Sequence, residues 1–339
     1  PWDEFVIATY KDIPGKNVIA SLDTDQPLLA ETEVRYIGEP ILLIAHPNQS
    51  EVENAVNYIN VEYEELTPIF DIEKTPAQDQ IQYKKDNVFK EYKFSKGDVS
   101  KVWDDAYLVT KGKYKTGAQE HIYIEPQGMV AVASPEKGVT IWGSLQCPYF
   151  IHNGMKVLFG MPKEKVRVIF AMTGGAFGGK EDYPTNLAGY VALLSWKANG
   201  QPVKMVYSRQ EDLLVTTKRH PSVTYVKSAF NKDGKLIGLK IDTILEGGAY
   251  VTLSPVVLSR GVLHSFGPYS CPNVNVRGRA VFTNSVPYGA FRGFGAPQTI
   301  FALERHIDQA AHKLGIDPYE LRKLNLLYAN DTMATGQEM

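Results

Sequence analysis

Near the N-terminus the apolar residues fall in short blocks. Phe5-Val6-Ile7-Ala8 reads as a strand already under way at the start of the chain, and Ile41-Leu42-Leu43-Ile44-Ala45, bounded by Pro40 and Pro47, reads as a buried one. The period then changes. Val52, Ala55, Val56 and Ile59 share one helical face, Ser50 stands where an N-cap belongs, and Glu53 completes a capping box. Val61 to Tyr63 returns as a strand, so residues 1–75 read as a compact α/β unit. Across 76–100 neither period is clear. Lys84-Lys85-Asp86-Asn87 and Lys96-Gly97-Asp98 are polar and charged, and this stretch is expected to connect two domains.

The second domain, 101–339, opens with strand-like segments at Ile122–Glu125, Val130–Ala133, Val139–Trp142 and Val166–Phe170. Residues 222–230 and 236–245 flank Asn231-Lys232-Asp233-Gly234-Lys235, which predicts a hairpin with a glycine in its turn. Leu187, Tyr190, Val191, Leu194 and Ala198 mark one helix, and Ile300, Leu303, Ile307, Ala310 and Leu314 mark another stopped by Gly315. Asp317-Pro318-Tyr319-Glu320 starts a third. Without an alternating βαβ pattern, the expectation is an α+β protein and not a doubly wound sheet.

Composition narrows the function classes. With 339 residues, 44% of them hydrophobic, there is enough apolar material for two real cores. A formal charge of −2 supplies no global field for a polyanion, so a dedicated nucleic-acid binder is disfavoured. No run approaches the ~20 apolar residues of a membrane span, and no leader opens the chain, so a cytoplasmic location is expected. Cys147 and Cys271 are too few for an iron–sulfur cluster or a four-cysteine zinc site, and the seven histidines lack metal-ligand spacing.

Glycine is the outlier. Thr173-Gly174-Gly175-Ala176-Phe177-Gly178-Gly179-Lys180-Glu181 lies between a strand and a helix start, where backbone N–H groups can gather round an anion. It matches a phosphate-binding P-loop until Glu181 replaces the Ser/Thr hydroxyl, and a carboxylate there repels a triphosphate. A second cluster, Gly289-Ala290-Phe291-Arg292-Gly293-Phe294-Gly295-Ala296-Pro297, also leads into a helix with aromatics between its glycines. Either loop alone reads as a tight turn. Two of like chemistry point to a shared, large, polar, partly anionic ligand.

These two loops resemble the signature loops of the molybdenum hydroxylases, the xanthine dehydrogenase/aldehyde oxidase family. Gln119-Glu120-His121, Gly143-Ser144-Leu145-Gln146, Lys218-Arg219-His220-Pro221 and Asn273 through Gly278 agree in order and approximate spacing. The resemblance implies an α/β hammerhead domain at 1–75, a connector at 76–100, and the first molybdopterin-binding domain at 101–339. This corresponds to the N-terminal half of the molybdopterin-binding subunit. It implies hydroxylation of an electron-poor carbon with oxygen from water at a molybdenum centre. Electrons would leave through the pterin to 2Fe-2S clusters and FAD on partner chains or domains. The molybdenum is held by the pterin and not by side chains of this chain.

Residue by residue, the resemblance places Gln146 against an oxygen of the molybdenum centre. It sets Gly175, Phe177, Gly178, Phe291 and Arg292 around the metal and pterin, and stacks Phe294 on a flat substrate ring. Glu181 and Arg260 match the acidic and basic groups that bind a heterocycle in purine-oxidising members, where desolvated ring nitrogens and carbonyls need partners. The plain alternatives are that Glu181 neutralises Lys180, Arg260 meets a surface acid and Phe294 packs in the core. The family's catalytic glutamate belongs to a second molybdopterin domain, and Gly38-Glu39 in the hammerhead segment cannot replace it. The chain is therefore expected to need a second chain or segment. A purine or related N-heteroaromatic substrate is the first reading; an aldehyde, an aromatic acyl-CoA or a non-catalytic assembly role are the alternatives.

Overall fold

The computed structural model describes residues 2–20, 22–75 and 80–339. An N-terminal ribbon pairs β1 (Val6–Thr9) antiparallel with β2 (Leu42–Ala45), as the two apolar blocks predict. The helix that follows, α1 (Gln49–Ala55), begins earlier than Ser50 suggested. Asn48 is its N-cap, the side chain accepting from Ser50 N at 3.0 Å, while Glu53 accepts from Gln49. Val61–Tyr63 forms no strand: Val61 and Tyr63 are exposed, and alternation without a partner edge makes no ladder.

A four-stranded sheet has the order β7 (Val166–Phe170), β6 (Gly138–Gly143), β5 (Gly128–Ser134), β8 (Val203–Val206). Two helices, α2 (Pro148–Phe159) and α3 (Pro184–Lys197), pack on it. Every residue of α3 from Pro184 to Ser195 is buried. The cause is that β1 and β2 approach the helix on the side away from β5, and Ala8, Leu28 and Leu43 join Leu187 and Val191 in one apolar core.

The second sheet has five strands in the order β3 (Val88–Lys96), β11 (Val274–Phe282), β10 (Leu236–Gly248), β9 (Ser222–Phe230), β4 (Leu108–Thr116). The predicted β9–β10 hairpin is present; Asn231 Oδ1 accepts from the N–H groups of Asp233 and Lys235 and closes its turn. One face of this sheet is covered by α5 (Ser254–His264) and α6 (Ala296–Leu314), with α7 (Pro318–Asn325) behind α6 and capped by Asp317 as expected. A short α4 (Arg209–Val215) lies between β8 and β9 in the chain.

Two readings change. The stretch 76–100, expected as a connector, contains β3, whose residues pair with β11 along its length. Its apolar side, with Phe89 buried, was hidden among lysines. Parallel crossovers do occur, β6–α2–β7 and β10–α5–β11, but as single units inside mixed sheets. Residues 76–79 of the expected connector lie outside the described residues.

Candidate functional site

The first glycine loop leaves β7 and enters α3; the second runs into α6. They are far apart in sequence and touch. Arg292 N donates to Phe177 O at 2.9 Å. Gly178 has φ +105°, and a Cβ built there would lie 2.9 Å from the carbonyl of Ala290 and from Phe291 Cα. Only a residue without a side chain lets the two backbones meet this closely. Phe177, at φ +54°, is turned out and 49% exposed.

Gln146, at the end of the segment after β6, ties into the first loop from the side. Its N–H donates to Lys180 O at 2.7 Å, and its Oε1 accepts from Gly178 N and Lys180 N at 3.0 and 3.3 Å. With the carbonyl end held by two backbone donors, the amide is oriented with Nε2 outward. That group has no partner among the described residues, and the side chain is exposed.

The interior of the loop is held by charge. Lys180 is fully buried and donates to Glu125 Oε2 at 2.8 Å and Ser144 Oγ at 3.0 Å. Glu125 also accepts from Gly174 N at 2.7 Å. Burial pushes the Glu125 carboxyl up, but the hydrogen bonds from Lys180, Gly174 and Ser144 outweigh it and hold it below the usual carboxylate range. Glu181 therefore does not neutralise Lys180, whose ammonium is taken by Glu125 and Ser144. Ile122–Glu125, read as a strand, is irregular, with Ile122 at φ +49°, because Glu125 turns in to meet Lys180.

The second loop is braced from below. Phe291 lies between the His121 ring, 4.4 Å away and nearly parallel, and the Arg219 guanidinium at 4.0 Å. His121 Nε2 donates to Ala290 O at 2.7 Å, while Arg219 donates to Arg292 O at 2.8 Å and Gln119 Oε1 at 2.6 Å. Glu120 forms an ion pair with Lys218 at 2.8 Å. Burial would raise this carboxyl, but hydrogen bonds from His121 and Lys218 bring it down to about 2. Sequence reasoning marked the 119–121 and 218–221 segments without giving them a role; Glu125, Tyr123 and Asp212 it missed. Tyr123 donates to Asp212 at 2.6 Å, and nothing local in the sequence couples positions so far apart.

Glu181 is half-buried, and desolvation, then the neighbouring Asp182, pushes its carboxyl up. Arg260 is exposed on α5 and meets no surface acid among the described residues. No hydrogen bond or ion pair joins it to Glu181. It precedes Gly261, whose backbone lies against Gly295, which sets it beside the second loop. Phe294, at φ +49°, is partly buried against the core of the five-stranded sheet. Both cysteines are free.

These residues suit a ligand rich in oxygen acceptors. Among the described residues, the N–H groups of Gly175, Ala176 and Phe177 in one loop, and of Phe291 and Gly293 in the other, have no partner. With Gln146 Nε2 and the exposed Arg292, they form a donor-lined junction.

The model of the molybdopterin cofactor-binding domain matches residues 81–326. A probable xanthine dehydrogenase subunit of Bacillus subtilis is 37% identical over 96% of this chain and 43% of its own length. The nicotinate dehydrogenase large molybdopterin subunit of Eubacterium barkeri is 36% identical over 98% of this chain and 77% of its own. Among solved structures, the aldehyde oxidoreductase of Desulfovibrio gigas superposes with a TM-score of 0.90 at 30% identity, covering 98% of this chain and 38% of that one. The chain thus spans less than half of two of these proteins and most of the third. With its matched domain containing both glycine loops, the chain belongs to the xanthine dehydrogenase/aldehyde oxidase family of molybdenum hydroxylases, as a molybdopterin-binding portion.

Proposed function

We propose that this chain builds one side of the active site of a molybdenum hydroxylase acting on a purine or related N-heteroaromatic compound. The carrying observation is Gln146: its amide is oriented by Gly178 and Lys180 so that a donor faces out where the two loops meet. The bound molybdopterin would supply two-electron oxidation of an electron-poor carbon with oxygen drawn from water. Gln146 Nε2 would donate to an oxygen of that group. Gly175, Phe177 and Gly178 would line it from the first loop, and Phe291 and Arg292 from the second. The backbone N–H groups of Gly175, Phe177 and Phe291, which have no partner among the described residues, would stabilise charge without reorganising.

For substrate, Glu181 and Arg260 are the polar contacts and Phe294 the stacking surface. A half-buried carboxyl can accept from a ring N–H, and a guanidinium outside any ion pair among the described residues can donate to a carbonyl. Xanthine and nicotinate, in the names of the two sequence relatives, are heterocycles of this kind. In this reading residues 1–75 form the hammerhead domain. The base that takes the proton, the 2Fe-2S clusters and the FAD belong to other domains or chains, and the assembly works in the cytoplasm. No helix among the described residues is long and apolar enough to cross a membrane.

Two measurements test this. Elemental analysis of the purified protein with its co-purifying chains should find molybdenum; none, in protein whose relatives load under the same conditions, removes the proposal. In the active complex, Arg260→Met should lower kcat/KM for a purine at least tenfold more than for an aromatic aldehyde. Equal losses would sink the heterocycle assignment and favour the aldehyde chemistry named for the solved neighbour.

A further inference from the structure

The five-stranded sheet has one face under α5 and α6; the other is covered in part, with Val223, Ala229 and Ile244 buried, and is open where Lys111 and Lys240 are exposed. Val226, Ser228 and Ile241 point to the helix-covered face, so Lys227 and Lys240 point to the other. The strand register sets Lys111 of β4 opposite Lys227 of β9, and Lys227 opposite Lys240 of β10. Three ammonium groups therefore stand side by side on neighbouring strands. Like charges directly opposite across a sheet are destabilising. None of the three is in an ion pair among the described residues. The row beside it shows the usual remedy, with Lys113 bound to Glu73 at 2.8 Å and Arg277 to Glu91 at 2.5 Å. Lys227 Nζ sits 3.6 Å from the centre of the Trp103 ring, which holds the middle charge in place. Burial, then Lys111 and Lys240, push the Lys227 ammonium below its ordinary range, and Asp104 opposes them.

A row of cations outside any ion pair, on a chain of net charge −2, is not general basicity. We infer that the open part of the sheet's second face is a docking surface for a protein partner that presents clustered carboxylates, with Lys111, Lys227 and Lys240 at its centre. Single-stranded nucleic acid fits less well. Bases need aromatic faces to stack on, and the Trp103 face is already taken by Lys227. The inference does not depend on the proposed enzymatic activity, and its test needs no molybdenum.

The full chain, in the assembly in which it purifies, is titrated at 20 mM salt with a fluorescent 20-residue poly-glutamate peptide and with a single-stranded DNA of equal length. The peptide should bind, and Lys111→Gln/Lys227→Gln/Lys240→Gln should weaken it at least tenfold. A control with the same change in charge, Lys16→Gln/Lys163→Gln/Lys232→Gln, should weaken it less than twofold. The triple-row variant should melt at or above the parent temperature, because repulsion has been removed. Equal weakening by both variants, absence of peptide binding, or DNA binding ten times tighter through the same lysines would overturn the inference. So would a fall in melting temperature for the row variant, which would mean that the row is structural.

Discussion

Replacing Gly178 by alanine tests the contact on which the site depends. The residue has φ +105°, and the added methyl would meet backbone atoms of Ala290 and Phe291 at 2.9 Å, which no rotamer change can move aside. A left-handed backbone with a side chain costs about 1–2 kcal/mol, and overpacking against fixed atoms adds about 1–3 kcal/mol. Gly315, which caps α6 at φ +68° with nothing within 4 Å of a built Cβ, is the control, since Gly315→Ala should show only the conformational cost. For a chain this long 1 kcal/mol is worth roughly 1.5 °C in Tm. Gly178→Ala should therefore melt about 2–4 °C below Gly315→Ala by calorimetry. Its molybdenum content should also fall while that of the control does not. Melting temperatures within 1 °C of each other would refute the close approach of the two loops.

The Lys180–Glu125 pair should respond asymmetrically. Glu125→Ala strands a fully buried ammonium and should cost about 3–5 kcal/mol, whereas Lys180→Met leaves a carboxylate that is 42% exposed and should cost less. Urea midpoints in the reverse order would contradict the burial assigned to Lys180. Glu120, held at about 2 against 4.5 when free, contributes stability that is complete above about pH 4.5 and lost as pH falls toward 2. Glu120→Gln should therefore be less stable by an amount of order 3 kcal/mol at pH 6, with the gap closing by pH 2.5; a gap that is constant over that range would show that the carboxylate's charge is not what matters.

How much was legible beforehand depended on distance along the chain. The hairpin at Asn231–Lys235, the Asp317 cap and the Gly315 stop depend on groups within a turn of one another, and each is where the pattern put it. Asn48 displaced Ser50 as a cap because both residue types can serve, and only the backbone path chooses. β3 escaped notice because an edge strand exposed on one side carries too few apolar residues to display its period.

By itself, the sequence determined the two glycine loops and their family. Clustered glycines permit close backbone approach whatever the surroundings, and loops of this length and order rarely coincide by chance. The tertiary structure alone decided who meets whom. Lys180 turned to Glu125 and not to its neighbour Glu181; His121 and Arg219 came to brace Phe291; Gly178 came against Ala290; and three lysines from three strands came into one row. Each of these is a contact between segments distant in the chain, set by burial and strand register, and no local preference encodes it.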